Sequence, residues 1–217
     1  MANFTRCQLT LCKPWGKLDA VSSPIIQTRS RILRESVRLL EQHGGRGVRM
    51  GDVAKAAGIS RQAVYLHFPS RTELLVATTR YLDEVLDVDS RLAPSRAART
   101  GVERLTLYIE CWGNYIPDIY GVAKALLLAQ ETDEAAAAAW NDRMLAMRDG
   151  CRAAIEALDR DRTLAPEWEP KDATDALWTL LAVQNWENLT QACGWSTQKY
   201  VKGMNALAKR AFVATRC

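Results

Sequence analysis

Histidine is scarce in this 217-residue chain, with His43 and His67 the two present. A rear half without histidine lacks the commonest acid–base side chain. The patterns G-x-x-x-x-G-K-[ST], H-E-x-x-H and G-x-S-x-G are also missing. Without them, nothing marks a phosphate loop, a zinc protease helix or a nucleophile elbow. The six cysteines, Cys7, Cys12, Cys111, Cys151, Cys193 and Cys217, are scattered with no C-x-x-C pair. That spacing offers no zinc site and reads as reduced structural thiols. No apolar run approaches the roughly 18 residues of a membrane-spanning helix. Residues 1–23 do not read as a signal peptide: Arg6 is a weak basic start, and Gln8, Thr10, Cys12 and Lys13 interrupt any apolar stretch. The expectation is a cytoplasmic, non-enzymatic protein with no metal, no cofactor and no membrane partner.

What is present is apolar content and an uneven charge. Hydrophobic residues make up 48% of the chain, enough for a proper core. Residues 25–81 carry ten Lys/Arg against four Asp/Glu, whereas residues 82–217 carry sixteen against twenty. A basic front on an acidic rear suits a head that meets nucleic acid, carried by a body that does not. A chance distribution over a solvated surface is the plainer alternative.

Helical spacing of apolar residues runs through almost the whole chain, and sustained strand alternation is absent. The expected fold class is all-α, with a three-helix N-terminal head and a larger C-terminal bundle. Residues 1–23 read as a flexible leader, 24–90 as the head and 91–217 as the rear domain. Ser23-Pro24 reads as the start of a first helix ending near His43, with Ile25, Arg29, Ile32, Val37 and Leu40 inward. A short helix follows over Asp52–Ala57, and Ser60 caps another through Leu66. Ser70-Arg71-Thr72-Glu73 reads as a reciprocal capping box opening a helix to about Val88. Residues 89–100 read as a polar connector. Further helices are expected at 101–116, 118–130, 133–160, 171–193 and 196–214, with Pro117 separating the first two.

The segment Val53–Leu75, V-A-K-A-A-G-I-S-R-Q-A-V-Y-L-H-F-P-S-R-T-E-L-L, is the most informative. It reads as two short helices joined at Gly58, a helix-turn-helix. Val53, Ile59, Val64 and Phe68 are spaced to bury together. Arg61, Gln62, Ala63 and Tyr65 are left outward. Arg61 then suits guanine, Gln62 adenine, and Ala63 a thymine methyl in the major groove. Tyr65 and His67 carry polar tips suited to phosphates. Arg71 opposes the dipole of its own helix, a placement useful when a phosphate arrives there. Ser60 and Ser70 are helix caps in the first instance, and His67 has a buried reading too.

This stretch resembles the N-terminal domain of the tetracycline-repressor (TetR) family. The A-x-x-A-G-[IV]-S block, Y-x-H-F and the basic S-[KR]-x-E-L-L cap carry the resemblance. Thr28–Leu33 (T-R-S-R-I-L) and Gly44 extend it upstream. The resemblance implies base reading by Arg61, Gln62 and Ala63, and backbone contacts by Tyr65, His67 and Arg71. One departure stands out: Arg49-Met50-Gly51-Asp52 replaces the usual capping Thr. Arg49 and the Gly51 N–H remain as candidate phosphate contacts, beside Ser60.

The family likeness also implies a ligand-responsive regulator, usually a repressor, binding a palindromic double-stranded DNA operator as a homodimer. Leu177, Leu180, Gln184, Tyr200, Met204, Leu207 and Ala211 lie on the two rear helices that would form the dimer; closing the monomer's own core is the other reading. Trp112, Tyr115, Ile116, Tyr120, Trp140, Met144, Met147, Trp178, Leu181 and Asn185 are the candidates to line a cavity for a small apolar or aromatic effector. Each is also an ordinary core residue in kind. The competing function is a helical-bundle enzyme or small-molecule carrier whose helix-turn-helix is incidental.

Overall fold

The computed structural model describes residues 24–215, and those residues are helical throughout apart from connections. The leader and the Ser23 cap lie outside them. Helix α1, Pro24–Gln42, buries Ile32, Leu33, Leu39 and Leu40. Ile25, expected inward, is 68% exposed. The apolar stripe begins at Ile32, because the first turns outrun the core. Helix α2, Met50–Ala57, starts two residues before Asp52. The Asp52 carboxylate accepts from the Arg49 N–H at 2.9 Å, so it does part of a cap's work where no hydroxyl stands at the helix start. Gly58 closes α2 at φ +66°, a left-handed conformation that glycine adopts without steric cost.

Helix α3 spans Arg61–His67 and α4 spans Arg71–Leu86. The Glu73 N–H donates to the Ser70 hydroxyl at 3.0 Å. Beyond α4 the structure corrects three expectations. Residues 89–100 are no connector, since helix α5 occupies Val88–Arg96 with Pro94 inside it. The buried Ser95 hydroxyl donates to the Arg104 carbonyl at 3.0 Å and docks α5 on the next helix. Pro117 does not end a helix either, and α6 runs unbroken from Gly101 to Ala129. After α7, Glu134–Arg160, the segment expected to be one helix over 171–193 is broken. It divides into α8, Pro170–Leu180, α9, Val183–Glu187, and a π-helical turn, Asn188–Ala192. Helix α10, Thr197–Phe212, closes the described chain, capped by Ser196.

The break between α8 and α9 is held by side chains. The Asn185 amide donates to the Thr179 and Leu180 carbonyls at 2.7 and 3.3 Å. The Trp112 indole N–H donates to the Leu181 carbonyl at 2.8 Å. Carbonyls freed at a helix end need such partners.

Two apolar clusters result. One joins α1–α4 with the end of α6 and the start of α7, through Val122, Leu126, Ala136 and Trp140. The other fills the space among α6, α7, α8 and α10 around Ile109, Ile155, Leu177 and Tyr200. Helix α6 therefore serves both.

Its junction with α1 is tight and polar. The Glu41 carboxylate accepts from the Gly121 N–H at 3.0 Å and from the Val122 N–H at 3.4 Å. Burial raises the Glu41 pKa from its ordinary value, outweighing the lowering by those two N–H donors. A raised folded value gives a definite sign. Between the unfolded value and the raised folded value, the folded chain holds more of this proton than the unfolded chain does. Glu41's contribution is therefore full below that range and fades as pH rises through its folded value. Glu41→Gln is expected to flatten this part of the stability–pH curve, measured by urea unfolding at stepped pH.

Candidate nucleic-acid interface

Helix α3 is fixed from beneath and open above. The Ser60 hydroxyl accepts from the Ala63 N–H at 3.1 Å and starts the helix. Val64 and Phe68 are buried, at 0% and 2% exposure. They anchor the underside into the cluster that also holds Val53, Ala54 and Ala57. Arg61, Gln62 and Tyr65 face solvent, Ala63 is half-buried, and Ser60 is exposed at the helix start. The Arg61 guanidinium donates to the Tyr65 hydroxyl at 3.3 Å and lies 5.5 Å from that ring's centroid. Tyr65 thus steadies Arg61 one turn away. Leu66 is 86% exposed, a large apolar side chain that sequence reading left without a role. His67 is half-buried, with its ring 6.4 Å from that of Phe68.

The flanking candidates meet this helix from two sides. Arg49 and Gly51 are exposed at the start of α2, and Arg71 is exposed at the start of α4. Arg71 Nε donates to the Val48 carbonyl at 3.1 Å, which draws the opening of α4 to the residue preceding Arg49. Two cationic side chains and two helix N-termini therefore share one edge of the head.

Behind the head lies a cavity of about 170 Å³. Helix α4 gives it Thr79, Leu82 and Asp83, and α5 gives Val88, Arg91 and Leu92. Its longest walls come from α6 and α7, with Trp112, Tyr115 and Ile119 facing Trp140, Met144 and Met147. Asp83 pairs with Arg143, and the Tyr115 hydroxyl donates weakly to the Asp83 carboxylate at 3.4 Å. Burial raises the Asp83 pKa even against the Arg143 charge. Arg91 stands 5.5 Å from the Tyr115 ring centroid and pairs with Asp118 at 2.9 Å.

Of the residues proposed for an effector, Trp112, Tyr115, Trp140, Met144 and Met147 line this cavity. Ile116, Tyr120, Trp178, Leu181 and Asn185 are not among its lining residues. Ile116 is fully buried in the rear cluster. Tyr120 turns to the Trp186 ring, 5.0 Å away, and Trp178 packs on the rear cluster. The Leu181 side chain is core, and the Asn185 amide is spent on α8. Sequence reading missed Asp83, Arg91 and Arg143. A signal existed: Arg143 stands at i+3 from Trp140, on the face shared with Met144 and Met147.

The residues proposed for a dimer divide similarly. Leu177, Tyr200 and Met204 are buried in the protomer's own core at 0–2% exposure. The α8 and α10 stripes are wide enough that their centres close this core. Their flanks remain accessible, with Leu180 and Ala211 half-buried and Leu207 47% exposed, and Gln184 on α9 is exposed too.

Residues 32–78 match the model of the bacterial regulatory proteins of the tetR family. The chain is 25% identical over 165 residues to the HTH-type transcriptional regulator CymR of Pseudomonas putida, covering 71% of this chain and 74% of that one. It is 31% identical over 146 residues to the regulator EthR of Mycolicibacterium smegmatis, covering 64% of each. Among solved structures, a transcriptional regulator from Saccharomonospora viridis in complex with choline superposes with a TM-score of 0.76 at 20% identity. That match covers 87% of this chain and 99% of the other. An N-terminal helix-turn-helix under a helical body thus goes with two likenesses: residues 32–78 match the tetR family of bacterial regulatory proteins, and about seven-tenths of the chain is similar to an HTH-type transcriptional regulator.

Proposed function

We propose that the chain is a ligand-responsive repressor that binds a palindromic operator as a homodimer. One observation carries the reading. Helix α4 places Arg71 on the edge of the head and Thr79, Leu82 and Asp83 in the cavity wall. Twelve residues of helix separate Arg71 from Asp83, about 18 Å at the standard rise. A molecule that repositions the cavity end of α4 repositions the head with it. A ligand that fits one arrangement better than the other shifts the population between them.

In this reading Arg61, Gln62 and Ala63 contact base edges, while Arg49, Gly51, Tyr65, His67 and Arg71 contact the backbone and Ser60 holds the helix start. Two heads set about 34–36 Å apart read successive major-groove faces. The accessible flanks at Leu180, Gln184, Leu207 and Ala211 are where a second copy would pack. The effector is a small, largely apolar or aromatic molecule, as the cavity lining suggests. The Saccharomonospora viridis regulator, seen with choline, is in keeping with a small-molecule site in this fold.

The test separates the two kinds of contact. On a duplex selected from a random pool, Arg61→Ala is expected to cost about 1–3 kcal/mol and relax preference at one base position. Arg71→Ala is expected to weaken binding to every sequence and reduce the salt slope by about one unit. Equal effects of both on all duplexes would refute these roles. Sedimentation as a monomer at micromolar concentration would remove the dimer.

A further inference from the structure

The cavity's polar groups are unequally occupied. Three of its neutral donors are spent on the protein: the Tyr108 hydroxyl on the Met147 carbonyl at 2.8 Å, the Trp112 indole on Leu181, and the Thr79 hydroxyl on the Leu75 carbonyl at 3.0 Å. Its cations are spent as well. Arg143 forks between Asp83 and Asp142, the latter at 2.9 Å. Arg91 holds Asp118 and donates to the Leu86 carbonyl at 3.0 Å. Three carboxylates thus surround two guanidinium groups. Asp83 is the carboxylate with capacity left on the cavity side. One oxygen pairs with Arg143 and the other has the long Tyr115 bond. A carboxylate offers about four acceptor positions.

The rest of the wall suits a positive guest. Trp112 and Tyr115 stand with ring centroids 6.1 Å apart, and Trp140 lines the cavity beside Met144. Aromatic faces carry negative quadrupole density and attract cations, more strongly when dry. The wall already holds one cation in this way, the Arg91 guanidinium against Tyr115. An anion would meet those faces and the Asp83 carboxylate together. The volume, about 170 Å³, compares with the engineered cavity of about 150 Å³ that takes benzene.

Resting on the reading of this cavity as the effector site, we propose that it takes a lipophilic organic cation of about one substituted ring, a protonated amine or quaternary ammonium, with Asp83 as counter-ion.

Three near-isosteric probes test it on the full chain: phenyltrimethylammonium, tert-butylbenzene and benzenesulfonate. Binding is read by tryptophan fluorescence and by release of the selected duplex. The cation is expected to bind about tenfold tighter than the hydrocarbon, with the anion weakest. Asp83→Asn is expected to remove most of that preference, leaving the share owed to the aromatic faces, while keeping tert-butylbenzene binding. Arg143→Gln, which removes the internal competitor for Asp83, is expected to bind the cation more tightly than the parent. That variant and the probe series decide the matter even if Asp83→Asn does not fold. Equal or tighter binding of tert-butylbenzene or benzenesulfonate, or an unchanged cation preference in Asp83→Asn, overturns the cation and leaves the effector site standing. Failure of all three probes to change fluorescence or release duplex overturns both.

Discussion

Phe68→Ala is expected to lower stability by about 3–5 kcal/mol, the range for truncating a buried aromatic side chain. Phe68 is 2% exposed and sits at the C-cap of α3, where its N–H donates to the Val64 carbonyl at 2.9 Å. Its ring belongs to the cluster with Val53, Ala57 and Val64, and the Arg29 guanidinium lies 4.9 Å from its centroid. Removing it undercuts the short helix whose outward side chains carry the proposed base contacts. Seven residues cannot hold themselves helical in water, so α3 depends on this anchor. Domains are stable by about 5–15 kcal/mol, so the loss is a large share of the whole. Urea unfolding measures it, and hydrogen exchange locates it. Protection should fall in α2 and α3 and persist around Ile155 and Leu158 in α7, which belong to the other cluster. Phe68→Leu keeps most of the volume and should cost less than about 1.5 kcal/mol. A loss under about 1 kcal/mol in Phe68→Ala would show that α3 is not held by its underside.

That anchor was legible in the sequence because its determinants are local. Ser60, Gly58, Val64 and Phe68 each act within a few residues, so spacing alone assigns cap, turn and buried face. The corrections came where distant residues decide. Ser95 and Pro94 give 89–100 the composition of a loop, yet the Ser95 hydroxyl finds the Arg104 carbonyl and the segment folds as α5. Pro117 removes one donor, which reads as a break. The helix continues because packing on both sides, against the head cluster and the rear cluster, outweighs one lost bond. The opposite error arose at Leu181-Ala182. Apolar residues run through both sides of that point, and only the partners Trp112 and Asn185 make a break there tolerable.

The same division runs through the candidate site. Trp140, Met144 and Met147 share a helical face, so their place in the cavity followed from α7 alone. Asp83 falls in the expected head and Arg91 in the expected connector, so a boundary near residue 90 hides the wall they form. A related reason accounts for Asn185: a polar residue on an apolar helix suggests a ligand anchor unless the helix is known to stop beneath it.

Gly121→Val should be the most damaging single change at the junction of α1 and α6. A Cβ at Gly121 would collide with the Leu40 carbonyl oxygen and lie 2.5 Å from its carbon. The facing Gly45 repeats the constraint, because its Cβ would stand 2.5 Å from the Gly121 oxygen. These neighbours are backbone and cannot swing aside as a lysine tail would. The helices must separate, at a cost at or above the usual overpacking range, about 3 kcal/mol. Separation also pulls the Glu41 carboxylate from its N–H partners and leaves a buried acceptor unsatisfied, about 1–3 kcal/mol more. Gly51→Ala is the matched control. It too is a helical glycine, but nothing lies within 4 Å of its would-be Cβ, so it should gain up to about 1 kcal/mol of helix propensity. Thermal and urea unfolding of the two variants should therefore move in opposite directions. If both glycines tolerate the change alike, α1 and α6 are not in backbone contact, and no rigid path joins the head to the Ile119–Val122 side of the cavity.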